Sequence, residues 1–345
     1  MSHGLYVPET PPRSLVDDLR AWSLVVPSTA AFTHLTAAEL NGWWLPDAPP
    51  HPVFAAMRRT DPRPRRSGLY VCRHPNPYPM RITADGLKIT TPAETLLACA
   101  RDLGTLDVVI LADSALRQKD VTVVELKIAA DQRRRGAPKL RQIIPLLDPR
   151  SESAWESVLR VLHQAADIPV EPQYEIFNEY GRFLARADLW IKGTRRIHEY
   201  DGAVHREAEM HQKDLKRDRN LIMSDWQRFG FTSAQLLNEG AKIIKSVDSL
   251  LERPWDSRRL HGWEELLDES MLRRPGRVRP LRKWCLEPSS WPEKWSQPTL
   301  ISNDFASFTT TFGTAIRRSS PGVPAWRASL AAPGSAAPSP SPPRQ

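Results

Sequence analysis

Cysteine is scarce in this sequence of 345 residues, and its three cysteines, Cys72, Cys99 and Cys285, show no C-x-x-C spacing. This scarcity argues against a zinc ribbon and against a disulfide framework, and it fits a reducing compartment. Long apolar runs are also missing, since stretches such as Val108 to Ala112 are far shorter than the ~20 residues of a membrane span. The first residues lack the pattern of a secretory signal peptide. We therefore expect a cytoplasmic protein that does not enter a membrane.

Positive charge is what the chain has in excess. Its 48 Lys and Arg residues outnumber its 40 Asp and Glu residues, which gives a formal net charge of +8. A basic excess favours a polyanionic partner such as nucleic acid, although by itself it is weak support. Hydrophobic residues make up 41% of the chain, which is enough for the cores of two modest domains.

Composition and hydrophobic spacing divide the chain into four segments. Asp148-Pro149 interrupts a series of helical patterns and is a reasonable domain boundary. The last segment is rich in Ser, Pro and Ala, a composition typical of disorder. We predict a mixed α+β region over 1–147, an α/β domain over 148–254, a partly helical extension over 255–318 and a disordered tail over 319–345.

The first segment combines short strands with helices. Thr91-Pro92-Ala93-Glu94 predicts a helix start in which Thr91 caps the helix and Glu94 closes a capping box. Apolar spacing predicts strands over 53–59, 68–72 and 86–90, and further helices over 14–22, from 28 or 33 to 40, and over 106–117, 122–133 and 138–147.

The second segment follows the order α-β-β-β-α-β-α, which describes a small α/β domain with a central sheet. Lys192-Gly193-Thr194 is a short turn, so the strands on either side of it are predicted to pair as a hairpin. The predicted helices cover 153–166, 206–224 and 241–251, and the predicted strands cover 173–177, 183–191, 195–200 and 229–232.

Three carboxylates stand out in that domain: Asp188, Glu199 and Asp201. Side chains at i and i+2 of a strand share a face, so Glu199 and Asp201 point the same way, and Asp188 lies on the partner strand of the hairpin. Three converging carboxylates repel each other unless a cation lies between them. Hard oxygen ligands suit Mg²⁺ or Mn²⁺, and such a metal would polarise a phosphate and activate a water.

Two further residues fit the same chemistry. His205 follows Asp201 by four residues and could act as general acid or base, because the pKa of histidine lies near operating pH. Glu156 could orient a water or ligand, but Ser153 to Glu156 is also a capping box that needs no chemistry.

The block HEYDGAVH (198–205) followed by KDLKRDRNL (213–221) resembles a nuclease-like domain family related to very-short-patch-repair endonucleases, a branch of the restriction-endonuclease-like fold. The resemblance covers roughly 100 residues, and its elements occur in the expected order. It implies a central mixed sheet flanked by helices, DNA as substrate, and a catalytic set that matches Glu156, Asp188, Glu199, Asp201 and His205 here. Asp214 and Arg217 match its final D-x-x-R motif.

One position departs from the wider superfamily. Where that superfamily has E-x-K, with a lysine near the attacking water, this chain has Asp201. In the very-short-patch branch a histidine supplies part of that role, so His205 could compensate. Activity does not follow from the fold alone.

The N-terminal region resembles AbiEi-type antitoxins or regulators, through THLTAAELNGWWLP (33–46) and ITTPAETLLACARDLGTLDVVILADSALR (89–117). Such proteins begin with a winged helix-turn-helix. The wing-like GLYVPE (4–9) predicts that this module is truncated. A partner toxin is implied by the antitoxin resemblance.

Simpler interpretations remain beside these. The three carboxylates could form a solvated strand edge paired to Arg186, Arg195 or Arg196. His205 could cap a turn. Charged residues at helical spacing after the block usually form a solvated face, but three of them could contact phosphates: Lys213, Lys216 and Arg217.

Two functions therefore stand as hypotheses. The first is a Mg²⁺-dependent or Mn²⁺-dependent DNA endonuclease in which Asp188, Glu199 and Asp201 bind the metal. The second is a DNA-binding regulator or antitoxin that keeps the nuclease fold as a platform without cleaving.

Overall fold

Two β-sheets and a set of short helices form the part of the chain that the structure describes. The computed structural model describes residues 14–46, 51–202, 221 and 223–284. Within these ranges the architecture is mixed α/β, and each sheet contains both parallel and antiparallel strand pairs.

The first sheet lies in the N-terminal region and has the strand order β3-β2-β1-β5-β4. Strands β2 and β3 run parallel in the register Phe54↔Tyr70, and β1 pairs antiparallel with β2. The strand bounds are β1 Ala31–Phe32, β2 Val53–Arg58, β3 Leu69–His74, β4 Met80–Ile82 and β5 Lys88–Thr90.

Six α-helices accompany this sheet in the described residues before 148, and two of them begin with a capping box that the sequence analysis did not single out. Ser14 and Thr122 each accept a hydrogen bond from a backbone N–H three residues on, in a complete capping box. The bounds are α1 Leu15–Ser23, α2 His34–Leu40, α3 Pro92–Ala100, α4 Thr105–Arg117, α5 Val123–Ala130 and α6 Ala137–Ile143.

The second sheet follows residue 148 and has the strand order β6-β7-β8-β9. Strands β6, β7 and β8 form an antiparallel meander, and β9 is parallel to β8. Helix α7 packs against the sheet through His198 and Tyr200 of β8. The bounds are α7 Ala154–Ala165, β6 Val170–Phe177, β7 Phe183–Ile191, β8 Arg196–Tyr200 and β9 Gln227–Phe231.

Four further helices complete the described chain: α8 Ser233–Asn238, α9 Gly240–Leu250, α10 His261–Glu269 and α11 Arg274–Lys283. The loop between α10 and α11 is fixed by Asp107 of α4, whose buried carboxylate accepts from the Ser270 hydroxyl at 2.6 Å and from the Met271 N–H at 3.0 Å. Burial raises the pKa of Asp107 to about 6.

One hydrophobic core includes residues from before position 148, from 148–254 and from beyond 254. Val108 of α4, Leu159 of α7 and Trp263 of α10 belong to the same buried cluster. The Asp113–Arg160 ion pair joins α4 to α7 at 2.5 Å inside it. The predicted division at residue 148 stays a prediction, and the helices on its two sides pack directly together.

The start of α3 differs from its prediction. Thr91 precedes the helix, but its side chain makes no cap hydrogen bond. Glu94 is buried and instead bonds to Arg134 at 2.7 Å, 40 residues further along the chain. A buried carboxylate needs a cationic or hydrogen-bonding partner, and here the distant guanidinium replaces the local backbone donor.

Some elements also differ from their predicted extents. Residues 31–32, which lie within the longer predicted helix, form strand β1, so the helix begins at His34. The exposed strand β4 was not predicted, and β9 begins two residues before the predicted strand at 229. In the described ranges, no helix combines the length and apolarity that crossing a membrane requires.

Candidate carboxylate site

The site lies where β7, β8 and β9 run side by side. Trp190 of β7 pairs with Ile197 of β8, and directly opposite residues share a face of the sheet. Counting two residues along each strand places Asp188 and Glu199 on that same face, with Asp201 just beyond the end of β8. The sequence prediction that one face presents these three residues agrees with this register.

Asp188 lies where β7 and β8 separate. Residues 189 and 190 pair with β8, and at the next position the Asp188 carboxylate accepts a hydrogen bond from the Tyr200 N–H at 3.0 Å. The side chain thus takes a backbone donor that a continuing ladder would use. This bond anchors Asp188 to the last residue of β8, directly between Glu199 and Asp201 in sequence.

Glu199 and Asp201 share one cation, the guanidinium of Arg228 on β9. The Arg228 Nε lies 2.5 Å from Glu199 Oε2, and the Arg228 Nη2 lies 3.0 Å from Asp201 Oδ1. Exposure increases across the group, since the side chains of Glu199, Arg228 and Asp201 are 5%, 21% and 36% exposed. A buried carboxylate, a partly covered cation and a surface carboxylate therefore lie in series from the core to solvent.

Gly230 makes room for this arrangement. It pairs with Glu199 across the parallel β8–β9 ladder. A Cβ at this position would lie 1.6 Å from Asp201 Oδ2, so no other residue could occupy it without moving that carboxylate. The absence of a side chain at 230 thus allows Asp201 to lie over β9 beside Arg228.

Glu156 is held differently. Its Oε2 accepts from the Glu152 N–H at 2.7 Å and from the Gln173 amide at 2.8 Å, and burial raises its pKa. Ser153 caps α7 as predicted, but the Glu156 carboxylate bonds one residue further back than a capping box requires. Gln173 lies on β6, so this contact places Glu156 beside β6, and β7 separates β6 from the strand that carries Glu199.

A rigid layer supports the opposite face of β8. His163 Nδ1 lies 2.8 Å from the Leu159 carbonyl, which can only accept, so Nδ1 carries the proton. His163 Nε2 then accepts from His198 Nδ1 at 3.0 Å. Burial lowers the pKa of His163 to about 4, which keeps the pair neutral. Trp155 stacks on Tyr200 beside it, so α7 fixes the strand that carries Glu199.

The three arginines that were considered as simple partners bind elsewhere in the described residues. Arg186 pairs with Glu152 at 2.8 Å, Arg195 lies 3.8 Å from Asp225, and Arg196 donates to the Ser246 carbonyl and lies over the Phe229 ring. The cation beside Glu199 and Asp201 is Arg228, which sequence analysis missed. The alternation in QRFGF (227–231) places Arg228 and Gly230 on one face, and a strand predicted to begin at 227 would have revealed this.

Several predicted site residues lie outside the described residues: His205, Lys213, Asp214, Lys216 and Arg217. Across the described ranges, no group of three or more His, Cys, Asp or Glu side chains is arranged to hold a metal ion. Glu199 and Asp201 nevertheless offer carboxylate oxygens, the ligand type that hard cations such as Mg²⁺ prefer, and in this structure those oxygens bind the Arg228 guanidinium.

Comparison with known proteins gives two relatives. No protein-family model matches the chain, and no solved structure matches it significantly. The uncharacterized proteins MT2308 and Rv2248, from Mycobacterium tuberculosis strains CDC 1551 / Oshkosh and ATCC 25618 / H37Rv, are each 30% identical to it over 205 residues. That match spans 58% of this chain and 72% of each relative. The chain therefore belongs to the same family as these two mycobacterial proteins.

Proposed function

We propose that this chain acts on DNA as a metal-dependent endonuclease, with Mg²⁺ or Mn²⁺ as its cofactor. The observation that carries the proposal is the sharing of one cation by Glu199 and Asp201 at the end of β8. Magnesium sites that act on phosphates commonly use one or two carboxylates together with the substrate's own oxygens, and Glu199 and Asp201 supply two beside solvent. A divalent cation bound there would polarise the scissile phosphate and lower the pKa of the attacking water.

The second sheet supports a restriction-endonuclease-like fold for this region. It is mixed, it carries α7 on one face, and its carboxylates lie at one end of adjacent strands. The resemblance through HEYDGAVH implies the same kind of sheet. We propose that the domain over 148–254 has this fold, with DNA as its substrate and the cytoplasm as its compartment.

The roles of individual residues follow from their surroundings. Glu199, almost buried and fixed on a rigid strand, would hold the inner side of a cation, and Asp201 the solvent side. Asp188, anchored on the Tyr200 N–H, would complete the ligands. Glu156, whose pKa is raised by burial, would orient a water or ligand from the β6 side.

The remaining proposed roles fall on residues outside the described ranges. His205 would act as the acid or base for proton transfer. Phosphate contact by three basic residues of the following segment would add affinity that falls with salt, as it does for any charge-driven DNA contact. Those residues are Lys213, Lys216 and Arg217.

Nicking of supercoiled plasmid tests this proposal. With Mg²⁺ or Mn²⁺, and not with EDTA, we expect the wild type to convert supercoiled plasmid to open circles. Asp188→Asn and Glu199→Gln should each reduce the rate on the order of 100-fold, because each removes a carboxylate charge without changing volume. Glu175→Gln, on the exposed side of β6, is the matched control and should cut like the wild type.

A second function is favoured by a specific observation. Arg228 places one positive charge between Glu199 and Asp201, and an arginine at the site offers DNA phosphates a cation that needs no metal. This describes a non-cleaving regulator or antitoxin, and a toxin would be the partner that the AbiEi-like region implies. Folded wild type that binds plasmid and never nicks it, with either metal, would establish this function in place of the first.

A further inference from the structure

Arg228 is the link between β8 and β9 at the candidate site. It pairs in register with Ile197, and its side chain extends along the ladder to Glu199 and Asp201. Its guanidinium is planar and presents N–H donors in a fork that fits a carboxylate or a phosphate equally well. The same group that binds carboxylates here therefore has the chemistry to bind a DNA phosphate.

Charge makes such a contact necessary at this face. Three carboxyl groups, Asp188, Glu199 and Asp201, lie along this face, and carboxylates repel an approaching phosphodiester. Arg228 sets one positive charge among them, and its side chain is 21% exposed, so an anion from solvent can reach it. Because Gly230 has no side chain, the Asp201 carboxylate lies over β9 at that position, next to Arg228.

We propose that Arg228 is a phosphate-contacting residue: its guanidinium holds Glu199 and Asp201 in place in the unbound protein and contacts a phosphate oxygen of bound DNA. This inference rests on the proposed action on DNA and adds a binding residue to it. It does not depend on cleavage, because the contact forms in either of the two functions considered above.

The experiment measures binding of a labelled short DNA duplex in EDTA by fluorescence anisotropy, at a series of KCl concentrations. For Arg228→Gln we expect roughly tenfold weaker binding and a salt slope, log K against log [KCl], that is smaller by about one. Arg228→Lys should keep the slope, because it keeps the charge. Arg195→Gln is the matched control: it lies at the opposite end of β8 and should bind within about twofold of the wild type.

A second pair of variants keeps the test valid if Arg228→Gln destabilises the protein by leaving Glu199 buried without its cation. Glu199→Gln with Arg228→Gln removes both charges together, and Glu199→Gln alone keeps Arg228. The double variant should bind DNA more weakly than the single one and with the smaller slope. Equal affinities and equal slopes in this pair, with circular dichroism showing folded protein, would overturn the inference.

Plasmid nicking by the same samples separates this inference from the proposed function. Nicking by the wild type together with unchanged DNA binding by the Arg228 variants would overturn the inference and leave the nuclease intact. Absence of nicking together with weakened binding by the variants would support the phosphate contact and overturn the nuclease. Wild type that neither binds the duplex nor nicks plasmid with either metal would overturn both.

Discussion

Two charged clusters in this protein contain the same chemistry in different surroundings. Between α4 and α7, Asp113 and Arg160 are paired at 2.5 Å with side chains 0% and 1% exposed. At the end of β8, Glu199 and Asp201 share Arg228, and exposure rises to 36% at Asp201. The first cluster is closed on every side by protein, whereas the second opens to solvent.

The surroundings decide what each cluster can do. Asp113 also accepts from the Ser157 hydroxyl at 2.6 Å and from the Asp148 N–H at 2.9 Å, so its oxygens are used within the protein. No substrate can reach it, and its effect is to join two helices. The second cluster has a carboxylate at the surface and a cation behind it, so an exchange of partners with a ligand is sterically possible. Access, and not residue type, separates a structural ion pair from a candidate site.

The largest effect is expected from Arg160→Met in the closed cluster. This change leaves the buried Asp113 carboxyl without its cation, so at pH 7 it must either stay charged without a partner or take up a proton, and the free energy of unfolding should fall by about 3–5 kcal/mol. Urea denaturation followed by circular dichroism measures it. Arg258→Gln, at a surface pair with Asp256, is the control and should leave stability close to that of the wild type. A loss below about 1 kcal/mol for Arg160→Met would erase the contrast between the two clusters.

The layer behind the open cluster should respond to acid. The pKa of His163 is lowered by burial from 6.5 to about 4, so its stabilising contribution is complete above pH 6.5 and is lost as the pH falls toward 4. Relative to His163→Gln, the wild type should lose about 3 kcal/mol of unfolding free energy between pH 7 and pH 4.

Urea denaturation at a series of pH values measures this difference. Asp113 gives the opposite sign. Burial raises its pKa to about 6, so its contribution decreases as the pH rises from about 4 to 6. A wild-type minus His163→Gln difference that does not change with pH would show that His163 is not held neutral by the fold.

The smallest effect is expected from Gly230→Ala in the open cluster. The added methyl would displace the Asp201 carboxylate from Arg228, and because Asp201 is partly exposed it can turn into solvent at a cost of about 1 kcal/mol. Gly262→Ala in α10 meets no atom within 4 Å and should instead stabilise the protein by about 0.5–1 kcal/mol. Thermal unfolding of both variants measures these two changes in stability. If Gly230→Ala were also stabilising, Asp201 would not be held over β9.

Local rules predicted what depended on local interactions. Ser153 caps α7 as predicted, because the Glu156 N–H from which its hydroxyl accepts lies three residues further along the chain. The alternation of a strand placed Glu199 and Asp201 on one face, and the turn at Gly193 gave the hairpin partner with Asp188. Glu94 shows the limit, since the same three-residue rule predicted a cap, but its buried carboxylate bonds to Arg134, 40 residues further along the chain, instead.

The long-range part of the site could not be obtained in this way. Arg228 lies 29 residues beyond Glu199, and only the parallel pairing of β9 with β8 brings them together. Because the predicted strand began at 229 rather than at 227, Arg228 fell outside it and could not be assigned to a face of the sheet. The exposed three-residue strand β4 was missed for a related reason, because Met80 and Ile82 have no buried face to create a pattern.

The sequence by itself determined most of the described elements and the face on which the carboxylates lie, because helix caps, strand alternation and short turns depend on neighbours within a few residues. Tertiary structure alone decided which cation stands beside them and how far solvent reaches. Those properties depend on the order of strands in a sheet and on what covers each side chain. Pairing energies and burial arise from contacts between distant segments, and no local pattern encodes them.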